Sequence, residues 1–217
     1  MVIPLRLFVR EVLVVRGKHS KKGVGQVCLN ALFWGGIEMD VGMETCLDSK
    51  EIMKGKVIRV TLDTVRINGL AEPAIREVVW HRGAACVLPI TDDGKILLVR
   101  QYRYAPGCEL LEVPAGKLEG EKESPRACAA RELSEEGGVE AGELIDLGFI
   151  YTSPGFCNER LYMFLGRKLK QGKQHLDADE FVQLEEYTRE EVENLIATNE
   201  IVDAKTIAIF MKAKAYL

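Results

Sequence analysis

The order of apolar and polar residues predicts a chain built mainly from short strands. Residues 56–67 alternate as a half-buried strand does, and the Asn68–Gly69 pair that follows is typical of a tight turn. A second apolar run at residues 74–80 completes a predicted antiparallel hairpin. Two further apolar runs flank an Asp-Asp-Gly turn at residues 92–94, which predicts a second hairpin.

The later part of the chain adds strands and then helices. Strands are predicted at residues 144–153, 160–169 and 180–187, and helices at residues 188–196 and 204–216. A Thr188-x-x-Glu191 capping box opens the first of these helices. Strands interspersed with helices predict an α/β fold in which a mixed sheet carries helices on both faces.

Another helix is predicted between the strands, and its ends are well marked. Ser124 and Pro125 form a good N-cap and first-turn pair, because the serine oxygen accepts a free backbone N–H and proline has none to leave unpaired. The Gly137–Gly138 pair ends the helix, since glycine readily adopts the left-handed conformation after the last turn. The predicted helix therefore runs from about residue 125 to residue 136.

This helix concentrates acidic side chains on one side. Glu132, Glu135 and Glu136 stand at positions i, i+3 and i+4, so the three carboxylates leave the same side of the helix. Arg131 lies one turn before Glu135, where an ion pair would orient that carboxylate. Small side chains on the opposite side are expected to pack against the sheet, namely Ala127, Ala130 and Ser134.

Clustered acids of this kind have two interpretations. They are either a solvated charged face or a site for a divalent cation, which offsets a repulsion of a few tenths of a kcal/mol per pair. Mg²⁺ takes oxygen ligands and commonly shares them between carboxylates and substrate phosphates. The net charge of −4 argues against a general nucleic-acid or membrane-surface binder. A small phosphate-containing substrate, held through a metal ion, is the partner this pattern favours.

The cysteines and the length of the chain set broader bounds. The six cysteines, at positions 28, 46, 86, 108, 128 and 157, form no C-x-x-C pair, so they are expected to be reduced thiols in a cytoplasmic protein. No apolar run reaches the roughly 18 residues of a membrane span. A length of 217 residues fits one medium domain, alone or with a small appendage.

The segment from Gly116 to Val139 resembles the Nudix hydrolases, whose box reads G-x5-E-x7-R-E-U-x-E-E-x-G-U with U aliphatic. The residues from Glu123 to Val139 match this box in register, whereas six residues instead of five separate Gly116 from Glu123. The extra residue lies in the loop ahead of the helix. The resemblance implies a Nudix α/β/α sandwich with a mixed sheet, preceded by a small antiparallel β accessory region.

The chain from about Glu44 to Leu217 further resembles the ADP-ribose pyrophosphatase branch of that family. The matching positions are Arg76 and Glu77 ahead of Gly83–Val87, the Q-x-R of Gln101–Arg103, the L-L-E-x-P-A-G of Leu110–Gly116, and Pro154 fifteen residues beyond Val139. Three of these positions also have a simpler interpretation. Pro154 also suits a plain turn, Arg103 a strand-end surface charge, and Arg76 an ion pair with Glu77 or a neighbour across the sheet.

The resemblance also implies roles for individual residues. The Ala115 carbonyl, Glu132 and Glu136 would hold metal, with Glu135 assisting. Arg103 would clamp the diphosphate with its planar guanidinium. Glu112 would hydrogen-bond a ribose hydroxyl or a water, or else face solvent. The remaining substrate-binding positions are Arg76, Glu77 and Pro154.

The implied reaction is hydrolysis of ADP-ribose to AMP and ribose 5-phosphate. Two or three Mg²⁺ or Mn²⁺ ions would bridge the diphosphate and the glutamates and would lower the pKa of an attacking water. The general base is open, because Ala178 stands where many relatives carry a catalytic glutamate. Asp177 or Asp179 takes its place, or Glu135 does, or Glu180 serves as ligand or base; we favour Glu180.

The charge pattern and the resemblance together predict three parts of the chain, because residues 1–42 are basic whereas the remainder is acidic. Residues 1–42 are a basic extension, either a loose, poorly ordered arm or a strand-turn-strand addition at a dimer surface. Residues 43–82 are the antiparallel region, implied to form a homodimer, and residues 83–217 are the Nudix domain. Two other functions stay open: hydrolysis of another nucleoside diphosphate derivative or dinucleotide, and a catalytically silent nucleotide-binding module.

Overall fold

The computed structural model describes residues 42–120, 122–176 and 180–217. Ten strands and three α-helices lie within them, followed by a 3₁₀ turn at Lys214–Tyr216. The strands are β1 Glu44–Lys54, β2 Ile58–Ile67, β3 Ala74–His81, β4 Ala84–Pro89, β5 Ile96–Arg103, β6 Cys108–Glu112, β7 Ala115–Lys117, β8 Val139–Tyr151, β9 Arg160–Gln171 and β10 Val182–Tyr187. The helices are α1 Pro125–Gly137, α2 Arg189–Ala197 and α3 Ala204–Ala213.

The first three strands form a separate antiparallel sheet in the order β1-β2-β3, which we call the accessory sheet. The predicted pairing of β2 with β3 is confirmed, with Ile58 opposite His81 and Val65 opposite Ala74. Asn68 donates its backbone N–H to the carbonyl of Met43, so the turn after β2 also holds the start of β1. The small antiparallel region predicted ahead of the main domain is therefore present.

The second predicted hairpin, between β4 and β5, is wrong beyond its turn. The backbone N–H of Thr91 does bond the carbonyl of Lys95, but the pairing stops at one isolated bridge between Ile90, just after β4, and Ile96. They then enter different sheets, ordered β7-β4-β9-β8 and β10-β5-β6. The physical reason is that β4 is buried along its whole length, so it takes neighbours on both edges, one of them the parallel strand β9.

Strand β4 separates two apolar layers. Ala84, Cys86 and Leu88 face a cluster that includes residues of α2 and α3, whereas Ala85 and Val87 face the cluster built with α1. Successive residues of a strand point to opposite faces, so one strand anchors both layers. The predicted mixed sheet with helices on both faces is confirmed.

Helix α1 turns a different side to the sheet from the one predicted. Its buried residues are Cys128, Ala129, Glu132, Leu133, Glu136 and Gly137. Ala127 and Ala130 are exposed, so the expectation that the small residues Ala127, Ala130 and Ser134 face the sheet is wrong. Leu133 supplies the apolar area that those alanines lack, and its burial brings the glutamates beside it inward.

Several expectations fall outside what the structure describes. Of the predicted extension at residues 1–42, only Gly42 is within the described residues. The domain boundaries after residues 42 and 82 stay predictions. The five cysteines within the described residues are free thiols. In the same part of the chain, no helix is long and apolar enough to cross a membrane.

Candidate active site

The caps of α1 fix where its glutamates point. Ser124 Oγ accepts the backbone N–H of Ala127 at 3.2 Å, as the predicted N-cap requires, and Gly138 ends the helix with φ of +59°. Glu132 and Glu136 lie on the inner side and are only 8% and 3% exposed. Two carboxylates that an isolated helix would leave in water are thus buried in the folded protein.

Both buried carboxylates meet β7. Glu136 Oε2 accepts the backbone N–H of Ala115 at 3.0 Å. The Glu132 carboxylate lies so close to Gly116 that a Cβ placed there would come within 1.8 Å of Oε1. Glycine at position 116 is therefore required for the approach of Glu132 to the strand.

Arg131 organises the outer side of the same cluster. Its Nη1 donates to Glu132 Oε1 at 2.7 Å and to Glu135 Oε2 at 2.9 Å, and its Nε donates to Glu123 Oε1 at 3.0 Å. The predicted pairing of Arg131 with Glu135 is confirmed. One guanidinium holds three carboxylates and fixes the direction of two of the glutamates on α1.

Burial makes this cluster electrostatically costly. It raises the pKa of Glu136 to about 7, and the negative charges of Glu132 and Glu180 add to the rise, although the bond from Ala115 opposes it. The pKa of Glu132 is also raised, again first by burial, against the opposing effect of Arg131. The charges of Glu135 and Glu180 contribute to that rise. Glu180 therefore lies within electrostatic reach of both buried glutamates.

The donor set suits a hard divalent cation. The Glu136 carboxylate lies at the backbone of Ala115, the Glu132 carboxylate lies at Gly116, and Arg131 links Glu132 to Glu135. All-oxygen donors of this kind favour Mg²⁺ or Mn²⁺. A cation beside Glu136 would offset the burial and repulsion that raise its pKa. Within the described ranges, no three metal-binding side chains already converge on one point, since protein donors hold the carboxylate oxygens. The residues fit a cation by their chemistry and burial.

Arg103 and Glu112 form a second charged group near the cluster. Arg103 donates Nε to Glu112 Oε1 at 2.9 Å and Nη2 to Glu112 Oε2 at 2.7 Å. Glu112 is 1% exposed, so the expectation that it could face solvent is wrong. Arg103 also acts on the Glu136 carboxylate through its charge. The buried carboxylate of Glu112 thus orients the guanidinium of Arg103, which lies within electrostatic reach of Glu136.

Sequence reasoning missed the other residues that hold Glu112. Lys205 Nζ also donates to Glu112 Oε2 and lies 3.0 Å from Asp203 Oδ2. Burial alone would raise the pKa of Glu112, but Arg103 and Lys205 together hold it below its usual value. Asp203 caps α3 by accepting from the backbone N–H of Thr206 at 2.9 Å. The Asp-x-x-Thr cap was readable in the sequence, whereas Lys205 looked like an ordinary surface lysine.

The structure does not bring Arg76, Glu77 and Pro154 to the glutamates. Arg76 forms an exposed fork with Glu44 on the accessory sheet, and none of its described contacts reaches α1. Glu77 lines a cavity of about 390 Å³ together with Phe156. Pro154 is exposed, in a turn where the backbone N–H of Cys157 bonds the carbonyl of Ser153 at 2.8 Å.

The loop before β10 carries the open question of the base. Asp177, Ala178 and Asp179 lie outside the described residues. Val182 pairs with Gln101 of β5, so Glu180, two residues earlier, approaches the end of β5 where Arg103 stands. Of the candidates for the base, the structure describes Glu135 and Glu180.

Comparison with known proteins identifies a domain and relatives that this chain resembles. Residues 80–209 match the NUDIX domain. An ADP-ribose pyrophosphatase of Bacillus subtilis (strain 168) is 42% identical over 166 residues, which cover 75% of this chain and 88% of that protein. A methanol dehydrogenase activator of Bacillus methanolicus is 39% identical over 167 residues, covering 76% and 89%.

A solved structure shares the fold of this chain. A crystal structure described as an ADP compounds hydrolase superposes with a TM-score of 0.69 at 19% sequence identity, covering 80% of this chain and 94% of that one. The domain match spans more than half of the chain and contains α1, β7 and the buried glutamates. The chain belongs to the Nudix family.

Proposed function

We propose that this protein hydrolyses the diphosphate of ADP-ribose to AMP and ribose 5-phosphate with the help of divalent metal ions. The observation that carries the proposal is the pair of buried carboxylates of α1, Glu132 and Glu136, packed against β7. The guanidinium of Arg103, oriented by Glu112, acts on Glu136 through its charge. The relative from Bacillus subtilis, named for this activity, supports the choice of substrate. Nudix hydrolases generally need divalent metal ions, in agreement with the all-oxygen donor set.

Glu132, Glu136 and the Ala115 carbonyl would hold the ions, with Glu135 and Glu180 completing the set. Two or three Mg²⁺ or Mn²⁺ ions, when bound, would neutralise charge on the diphosphate and make a water more acidic. Arg131 contributes by holding Glu132 and Glu135 in fixed directions. Positioning and electrostatics of this kind are the main sources of catalysis in phosphoryl transfer.

Arg103 is the proposed phosphate clamp. Glu112 engages Nε and Nη2 of its guanidinium, so that Nη1, which has no hydrogen bond within the described residues, is the edge available to a phosphate oxygen. Replacing Arg103 with lysine keeps the charge but loses the fork. We expect Arg103→Lys to raise the KM for ADP-ribose and to lower kcat/KM by at least tenfold.

Glu180 is the proposed ligand or general base. Its carboxylate, near both buried glutamates, would accept the proton of the attacking water. Glu180→Gln should lower kcat by about 10² to 10⁴ if Glu180 is the base. A loss of less than about tenfold would exclude that role and leave Glu135 as the described candidate.

A homodimer through the accessory sheet is part of the proposal. All eleven residues of β1 are exposed, and apolar side chains among them are 44% to 55% exposed, namely Leu47, Ile52 and Met53. An exposed apolar edge strand is commonly covered by a partner. A second copy would bring Arg76 and Glu77 to a neighbouring site. Sedimentation of the parent and of Ile52→Lys tests this, because a dimer should shift toward monomer in the variant.

Substrate assays test the function itself. The parent should hydrolyse ADP-ribose faster than ADP-glucose, NADH or diadenosine polyphosphates with Mg²⁺ or Mn²⁺, whereas Glu136→Gln should lose at least a hundredfold. Equal rates across the panel would replace ADP-ribose with a broader nucleoside diphosphate substrate. Tight binding of ADP-ribose without turnover would instead identify a silent binding module. A cytoplasmic location, expected from the cysteines, completes the proposal.

A further inference from the structure

The connection from β9 to β10 is fastened to the carboxyl end of α1 by three hydrogen bonds. Gly172 donates its backbone N–H to the carbonyl of Gly138 at 2.8 Å, and His175 donates its backbone N–H to the carbonyl of Glu135 at 3.1 Å. Between them, the side chain of Gln174 donates Nε2 to the carbonyl of Glu136 at 2.6 Å. One short segment thus supplies donors to three carbonyls at a single helix end.

The carbonyls at the end of α1 need hydrogen-bond donors, as at any helix end, and here two nearby carboxylates add to the negative charge. The last four carbonyls of a helix have no helical partner, and at α1 the helix's own cap, from Gly138 to Ser134, satisfies one of them. The carboxyl end also carries the negative end of the helix dipole. Here that end holds the carboxylates of Glu135 and Glu136, so a segment that brings N–H groups offsets part of the crowded negative charge.

The fastening also limits where Glu180 can lie. Glu180 follows Gln174 by six residues, which span at most about 20 Å when fully extended. On its other side, Val182 is held in register with Gln101 of β5. Glu180 therefore lies within chain reach of the end of α1 and next to the edge of the sheet, and its charge acts on Glu132 and Glu136.

We propose that Gln174 is a positioning residue, which sets Glu180 against the buried glutamates by holding the carbonyl of Glu136. The inference rests on the proposed function and names a further residue for the same reaction. Gln174 touches neither substrate nor metal in this role. It acts through Glu180, so its contribution depends on the Glu180 carboxylate being present.

The variants follow from the geometry. Gln174→Met keeps the length of the side chain and removes the donor, and Gln174→Lys restores a donor on a chain of similar reach. Gln171→Ala is the matched control, because Gln171 is an exposed glutamine at the end of β9, three residues before Gln174. All variants are assayed at one temperature, well below the lowest of their unfolding midpoints, so that loss of folded protein does not enter the rates.

We expect Gln174→Met to lower kcat for ADP-ribose about fivefold, the effect of one lost hydrogen bond on the population of the aligned segment. The KM should change less than twofold. Gln174→Lys should recover most of the rate, and Gln171→Ala should match the parent. A cap that only stabilises the fold would lower the unfolding midpoint without changing kcat under these conditions.

A double-mutant cycle with Glu180→Gln decides between the two roles. If Gln174 acts through Glu180, Gln174→Met should have no further effect on kcat in the Glu180→Gln background. The same fivefold loss in both backgrounds would overturn the inference, as would a Gln174→Met variant as fast as the parent. If Glu180→Gln is as active as the parent, the proposed roles of Glu180 and Gln174 are both refuted, while the hydrolysis itself is still established. An inactive parent would instead refute the proposed function.

Discussion

Replacing Glu136 with glutamine should make the protein more stable, relative to the parent, at pH 8 than at pH 5, and should abolish activity. The carboxyl group is 3% exposed, and its pKa in the folded protein is raised from 4.5 to about 7. Glutamine can keep the bond from the backbone N–H of Ala115 through its carbonyl oxygen. The substitution therefore removes a buried charge and leaves most of the local geometry intact.

The sign follows from proton binding in the two states. Between pH 4.5 and pH 7 the unfolded chain loses the Glu136 proton while the folded protein retains it, so stability falls as pH rises through this window. A shift of this size corresponds to about 3 kcal/mol lost at pH 8 and about 1 kcal/mol at pH 5. Glu136→Gln does not titrate, so its stability relative to the parent should rise by about 2 kcal/mol between these pH values.

The measurement is urea unfolding of both proteins in EDTA at pH 5 and pH 8. The amide N–H₂ of the variant is itself buried and costs free energy, but that cost is the same at both pH values and cancels in the difference. Adding Mg²⁺ should stabilise the parent and should have less effect on the variant, because a ligand stabilises the state that binds it.

Glu112 provides a control of opposite sign. It is equally buried, but Arg103 and Lys205 hold its pKa below the usual value, so its charge adds stability above the unfolded pKa. Glu112→Gln should therefore destabilise the protein at pH 8. If Glu136→Gln shows the same stability difference from the parent at pH 5 and pH 8, the reasoning from burial is refuted.

Two further substitutions test the packing around the site. Gly116→Ala should lower hydrolysis at least a hundredfold, because its Cβ would meet the Glu132 carboxylate at 1.8 Å; Gly155→Ala, with open space around the new methyl group, should match the parent in the same assay. Lys205→Met should lower the free energy of unfolding by about 1–3 kcal/mol, since it leaves the buried Glu112 with one cationic partner. Urea unfolding of Lys205→Met measures this loss, and unchanged stability would show that Arg103 alone satisfies the Glu112 carboxylate.

Much of α1 could be predicted because its signals are local. Ser124, Pro125 and the Gly137–Gly138 pair act within one turn of the helix ends, and the structure places the cap and the left-handed glycine where these residues stand. The spacing of the glutamates also follows from helix geometry alone. The pairing of Arg131 with Glu135 was predictable for the same reason, since residues four apart are neighbours on any helix.

Other features depend on long-range packing and could not be predicted. The Asp-Asp-Gly turn at residues 92–94 was correct, but whether β4 continues to pair with β5 depends on competition from β9, more than seventy residues later. The buried side of α1 depended on Leu133 finding a place against the sheet. A helix wheel ranks the sides of a helix but does not show which one the sheet covers.

The sequence by itself determined the accessory hairpin, the helix with its caps, and the set of carboxylates that makes a divalent cation the expected partner. Only the tertiary structure decided that Glu132 and Glu136 are buried against β7 and that Arg103 is held by Glu112 and Lys205. The physical reason is range. Caps, turns and helical spacing act over a few residues, whereas burial and ion pairing join side chains such as Glu112 and Lys205 that lie 93 residues apart in the chain.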